Sequence, residues 1–386
     1  MKTPSPERGF GTRAVHGGQA PDPTTGAVMP PIYQTSTYVQ PELGKHLGWV
    51  YSRGQNPTRE ALERNLASLE GGTHALAFSS GVAAIECVLK SLSAGDHVVC
   101  EEAAYAGTTR MARSVYSRFG INFTFVDGRD LGAVRAALRP KTKLLMMETP
   151  TNPTMGICDL AAMSEIARAA DARLVVDNTF ATPFNQRPLA HGVHIVAHST
   201  SKYLGGHSDI VGGALVVADD DLAADLGQLR NTTGPIPGPL DAWLVLRGTK
   251  TLHLRMRAHN ENGMKVARYL EAHAAVERTL YPGLESHPQH ALAARQMSGF
   301  GGVVTVDLGT ADRARRFVEG TELFALAESL GGVESLIGVS ALMTHGSVPK
   351  AEREAIGVTD GLVRLSVGIE DGDDLLGDLE RALEGI

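Results

Sequence analysis

The rhythm of apolar and polar positions changes twice along the chain. Residues 1 to about 56 hold no sustained period and are rich in Pro, Gly and Thr, which predicts an extended arm laid on another subunit or on its own body. At Asn56-Pro57-Thr58 the pattern becomes helical: a capping residue, a proline suited to a first turn, an apolar stripe Leu62, Leu66, Leu69, and a stop at Gly71-Gly72. Short apolar runs then alternate with helical stretches. Strands are predicted at Ala75–Phe78, His97–Cys100, Phe123–Val126, Leu144–Met147, Leu174–Val176, Ile195–Ala197 and Ala214–Val217. Helices are predicted at Val82–Leu92, Thr109–Phe119 and Ala161–Ala170. Near-continuous apolar strands separated by helices predict an α/β fold with a parallel sheet covered on both faces. From about residue 250 longer helices such as Asn260–His273 take over. A glycine-rich strand Gly301–Leu308, a strand Val363–Val367 and a helix Asp373–Leu383 complete a smaller α+β unit. The expected division is an arm (1–56), a large domain (57–250) and a C-terminal domain (251–386).

The 386 residues exceed one ordinary core, and 43% hydrophobic with 20% charged residues suits a globular protein. A net charge of −7 argues against nucleic acid as a partner. Cys87, Cys100 and Cys158 form no C-x-x-C spacing, which fits a reducing cytosol and argues against a zinc site or disulfide framework. The N-terminal stretch lacks a secretion-type apolar region, and no apolar run approaches bilayer length. A cytoplasmic protein with no membrane association is expected.

In an open α/β sheet, ligands gather at the carboxyl ends of strands. Ser79-Ser80-Gly81, Glu148–Pro153, Asp177 and Ser199–Lys202 all fall at such ends. Ser80-Gly81-Val82 joins a strand to a helix whose free N–H groups favour an anion, although an ordinary capped helix would look the same. Asp177 closes Leu174-Val175-Val176; a buried carboxylate there needs a cationic partner, and a protonated ring nitrogen would serve. Lys202, set among Ser199, Ser201 and Gly205-Gly206 rather than on a charged helix face, is suited to a Schiff base with an aldehyde. Pyridoxal 5'-phosphate meets all three needs, with an aldehyde, a ring nitrogen and a phosphate. Tyr105, just beyond a strand, could stack on such a ring, although a lone tyrosine is more often packing. His191, His194 and His198 read as strand positions, the first facing opposite to the other two, and carry little weight as metal ligands.

The chain resembles the Cys/Met-metabolism family of pyridoxal phosphate enzymes. The stretches that carry the likeness span nearly its whole length: "YSRGQNPTREALE", "FSSGVAA", "ETPTNP", "VVDNTF", "HSTSKYLGGHSD", "LRGTKTLHLRM", "LAESLGGVESL", "MTHGSVP" and "LVRLSVGIED". The resemblance implies the fold-type-I transferase fold, with a mostly parallel seven-stranded sheet, and a homotetramer built as a dimer of dimers with shared sites. It implies Lys202 as the Schiff-base lysine, Asp177 as partner of the ring nitrogen and Tyr105 as the stacking ring. Ser80, Gly81, Val82, Ser199 and Ser201 would form the phosphate cradle, and Tyr51 and Arg53 would reach the neighbour's phosphate. Arg364, aided by Ser335 and Asn152, would bind the substrate carboxylate through its planar fork. Glu334 would meet a distal ammonium, with Arg110 at the substrate end. The implied activity is γ-elimination on a sulfur amino acid, cystathionine first, with γ-replacement on an O-acylhomoserine as the alternative. A non-catalytic protein of this fold would be expected to lack Lys202, Asp177 or Arg364. An aminotransferase would share the lysine, but "YSRGQNPT" speaks against it. Three departures touch the substrate end: Val50, where an acid is usual before "YSR"; Tyr105-Ala106-Gly107, where "YGG" is usual; and Val339-Ser340-Ala341 before "MTH". Losing one charged contact costs about 1.5–3 kcal/mol, so a less polar substrate is a further expectation.

Overall fold

A computed structural model describes residues 8–346 and 348–386. The helix Pro57–Glu70 begins where the sequence places it. Asn56 is extended, and its side chain accepts the N–H groups of Thr58 and Arg59; Gly71, at φ 81°, ends the helix in a left-handed cap. Its stripe of Leu62, Leu66 and Leu69 is buried against the large sheet's core.

That sheet has seven strands: β1 (His74–Phe78), β2 (His97–Glu101), β3 (Asn122–Val126), β4 (Thr142–Glu148), β5 (Arg173–Asp177), β6 (Ile195–Ser199) and β7 (Gly213–Val217). They lie in the order β1-β7-β6-β5-β4-β2-β3. Successive residues divide between two cores. Val99, Leu145, Val176 and Val196 face one side, while Val98, Leu144, Val175 and Ile195 face the other. The predicted fold class holds, with one strand reversed. β7 runs antiparallel to both its neighbours. A doubly buried strand shows no alternation that would disclose its direction. The reversal matters for the site, because residues 200–212 turn back at the carboxyl end of β6 without a crossover helix.

The second sheet comprises β8 (Arg278–Leu280), β9 (Val303–Asp307), β10 (Ala325–Leu326), β11 (Leu336–Val339) and β12 (Leu362–Ser366), in the order β10-β11-β12-β9-β8. Helices Ala311–Gly320 and Gly372–Glu384 cover it. The helix expected at Asn260–His273 is longer, Leu252–Ala272. Leu252 and Met256 sit in the first core, while Val266 and Leu270 sit in the second.

Three further expectations are corrected. The arm contains a helix, Phe10–His16, docked by Asn65, whose amide donates to the carbonyls of Arg13, Ala14 and Gly17; two turns are too short to show a period. The helical run Thr109–Phe119 breaks at Val115 into an α-helix, Ala106–Ser114, and a 3-10 turn, Tyr116–Phe119. His191 ends a separate 3-10 turn, Pro188–His191, so the three histidines do not share one strand. Beyond its first helix much of the arm is exposed, including Val28, Val39, Leu43 and Leu47.

Candidate active site

Strand register assembles the site. Phe78 and Ser199 both pair with Gly213, Ala197 pairs with Asp177, and Asp177 pairs with Glu148. The residues that follow β1, β4, β5 and β6 therefore meet along one edge of the sheet.

At one end of this edge begins the helix Gly81–Leu89. Ser80 is its cap, and the hydroxyl accepts the N–H of Ala83 at 3.1 Å, leaving the N–H groups of Gly81 and Val82 free of that cap. A Cβ on Gly81 would stand 2.9 Å from Cβ of Ser199, so only glycine lets Ser199 lie against this helix start. The Ser199 hydroxyl and the helix N-terminus thus form a cradle suited to an anion. Ser201 is placed differently. Its hydroxyl accepts the N–H of Gly212 at 2.9 Å and supports the chain's return toward β7.

Asp177 lies mid-sheet. One carboxylate oxygen accepts the N–H of Thr179 at 3.0 Å, and no Lys or Arg pairs with it among the described residues. Burial pushes its carboxyl above the usual range, with the Thr179 hydrogen bonds and the nearby His198 opposing. His198 is itself engaged, with Nε2 2.5 Å from Glu70 Oε1. Lys202 Nζ donates to Ser329 Oγ at 2.7 Å. Burial, assisted by the Arg364 charge, lowers its pKa to about 8 against a pull from Glu328, so an appreciable share of the amine is neutral and nucleophilic near pH 7.

Arg364, central on β12, is buried. Nη1 donates to Asn152 Oδ1 at 3.0 Å and Nη2 to the Ser329 carbonyl at 2.6 Å. Burial lowers its pKa to about 10, which leaves it cationic at neutral pH, and it forms no ion pair among the described residues. Tyr105 precedes the helix Ala106–Ser114 and is 42% exposed. A Cβ on Gly107 would strike its ring at 2.4 Å, so glycine is what allows the ring to lie over that turn. Arg110, further along the helix, is exposed. Tyr51 and Arg53 lie exposed on the arm, the guanidinium 5.5 Å from the ring centre, and neither hydrogen-bonds to Lys202 or Asp177 of its own chain.

Glu334 and Ser335 are not brought to this cluster. The Glu334 carboxylate accepts from Ser208 at 3.2 Å, and the Ser335 hydroxyl donates to Glu370 at 2.9 Å and accepts from Gly368. The place expected for Ser335 beside Arg364 belongs to Ser329, with Glu328 next to it near Lys202. The stretch Leu326–Leu336 contains Glu-Ser twice, and it is the first pair that faces the lysine. The signal was present in the sequence; only the tertiary contact distinguishes the two pairs.

A neutral-leaning amine, an anion cradle that a Cβ would fill, and a half-buried carboxylate lacking a cation fit the aldehyde, phosphate and ring nitrogen of pyridoxal phosphate. The comparisons agree. Residues 11–384 match the family model described as Cys/Met metabolism PLP-dependent enzyme. A cystathionine beta-lyase of Coxiella burnetii is 53% identical over 96% of this chain and 97% of that one. A cystathionine gamma-synthase of Mycobacterium tuberculosis is 52% identical over 97% of each. The crystal structure of a cystathionine gamma-lyase from Lactobacillus plantarum with L-serine superposes with a TM-score of 0.96 at 47% identity, covering 98% of this chain and 99% of that one. No helix among the described residues is long and apolar enough to cross a membrane. The chain belongs to the Cys/Met-metabolism family of pyridoxal phosphate-dependent enzymes.

Proposed function

We propose that this enzyme is a cystathionine γ-lyase, which converts cystathionine and water to cysteine, 2-oxobutanoate and ammonia. The observation that carries the reading is a shared anchor: Ser329 accepts from Lys202 through its hydroxyl and from Arg364 through its carbonyl. A substrate whose carboxylate lies on Arg364 then presents its Cα to the lysine amine. Pyridoxal phosphate, when bound, supplies the electron sink for negative charge at substrate carbons. Asp177 would hold the proton on its ring nitrogen. Asn152 orients Arg364, and Tyr105 would cover the cofactor ring. Lys202, freed by the substrate amine, would serve as the base and acid that moves protons between substrate Cα and Cβ. Gly81, Val82, Ser80 and Ser199 would hold its phosphate.

Relatives named for β-lyase and γ-synthase activity share most of this sequence. γ-Replacement on an O-acylhomoserine with cysteine is therefore the second reading. The deciding assay offers purified enzyme cystathionine, O-succinylhomoserine plus cysteine, O-acetylhomoserine plus cysteine, and methionine. The expected result is fastest release of 2-oxobutanoate and cysteine from cystathionine. Pyruvate and homocysteine as products, or net cystathionine formation alone, would overturn it; equal slow turnover of all would point to the less polar substrate suggested by Val50 and Val339-Ser340-Ala341.

The same reading includes a homotetramer in which the arm of one copy completes the site of another. The exposed apolar arm and the outward Tyr51 and Arg53 support it. It also keeps the division into arm, large domain and C-terminal domain at residues 56 and 250, and a cytoplasmic setting that suits three free, buried cysteines.

A further inference from the structure

Glu148 ends β4 and is 6% exposed, with no Lys or Arg pairing among the described residues. Burial and the neighbouring Asp177 charge push its carboxyl well above the usual range, so its charged form depends on hydrogen bonds that hold it. Two do. Oε2 accepts the N–H of Tyr105 at 2.7 Å, and Oε1 accepts the N–H of Asn152 at 3.0 Å. The donors come from different loops, one after β2 and one after β4. Tyr105 is the ring-covering side chain. Asn152 in turn accepts from Arg364 at 3.0 Å. Glu148 itself is fixed in the sheet ladder opposite Asp177.

We propose that Glu148 is a positioning residue, which ties the ring-covering tyrosine and the carboxylate grip of Asn152 and Arg364 to one point of the sheet. The inference rests on the roles assigned above to Tyr105 and Arg364. Its reasoning is stereochemical. Glutamine preserves length but offers one acceptor oxygen, so one of the two loops loses its bond and meets an amide N–H instead. Aspartate preserves charge but is one methylene shorter and cannot span both donors. Neither change touches Lys202, Gly81 or Ser199.

The experiment uses holoenzyme and glycine, which offers an amine and a carboxylate but no leaving group, so binding is read from the visible spectrum without turnover. Expected for Glu148→Gln and Glu148→Asp is about tenfold weaker glycine binding, the loss of one hydrogen bond to a charged group, with pyridoxal phosphate uptake and melting temperature near those of the parent. In an Asn152→Ala background the Glu148→Gln effect on glycine should shrink, because the route to Arg364 is already cut. Glycine binding within twofold of the parent in both variants overturns the proposal. So does an undiminished Glu148→Gln effect in the Asn152→Ala background, or parallel loss of cofactor uptake and melting temperature. Arg364→Ala is run beside them: unchanged glycine binding there would instead sink the role given to Arg364.

Discussion

A lysine becomes a nucleophile by giving up its proton, and Lys202 is set to do so early. Its amine is buried beside Arg364, with the Ser329 hydroxyl as hydrogen-bond partner rather than a carboxylate. Lowering its pKa from 10.5 to about 8 raises the neutral share at pH 7 roughly 300-fold. Capture of pyridoxal phosphate by the cofactor-free protein should therefore accelerate with pH and level off with a midpoint near 8. Stopped-flow absorbance checks this, and a midpoint above 10 would refute it. The sign for stability follows. Between pH 8 and 10.5 the folded chain holds less proton than the unfolded one, so this group's contribution to stability rises with pH across that window. Lys202 and Asp177 were legible in the sequence because each breaks its local pattern: a carboxylate ends an apolar strand, and a lysine sits among hydroxyls and glycines. Ser329 was not, since nothing local separates Glu328-Ser329 from Glu334-Ser335.

Among the elements, the contact between β6 and the helix after β1 has the least slack. Ser199 is seated against Gly81, with its Cα 3.1 Å and Cβ 2.9 Å from where a methyl would stand. Both positions are fixed by backbone, so Gly81→Ala must push the helix start away from β6. The expected outcome is at least tenfold weaker pyridoxal phosphate affinity with the visible band retained at saturation, because Lys202 is unaffected. Equilibrium dialysis against free cofactor measures it; unchanged affinity would show that the cradle lies elsewhere. Strand identity was readable from apolar runs in the large sheet, yet the reversal of β7 was not. Likewise β8, β10 and β11, each at most four residues long, give too few positions for a period. Packing against long-range neighbours defines them instead.

At the scale of the molecule, one helix belongs to both cores. Leu252–Ala272 gives Met256 to the large sheet's side and Leu270 to the small sheet's, so neither core can dissolve without exposing part of the other's covering. Calorimetry of the cofactor-free protein should show one heat-absorption peak. Leu270→Ala, a fully buried large-to-small change costing about 2–5 kcal/mol, should lower that peak as a unit; two peaks moving separately would contradict the coupling. The change of composition near residue 250 marks the start of this helix, which then serves both cores.

The distance in sequence between Lys202 and its partner Ser329 is 127 residues, and Arg364 comes later still. A ribosome that has already delivered the aspartate and the lysine has yet to deliver the serine bonded to the amine and the arginine proposed to receive the substrate. On the roles proposed above, a chain cut short before residue 329 would carry the lysine for the vitamin-derived aldehyde but not the grip for the amino acid, so turnover is reserved for finished polypeptides.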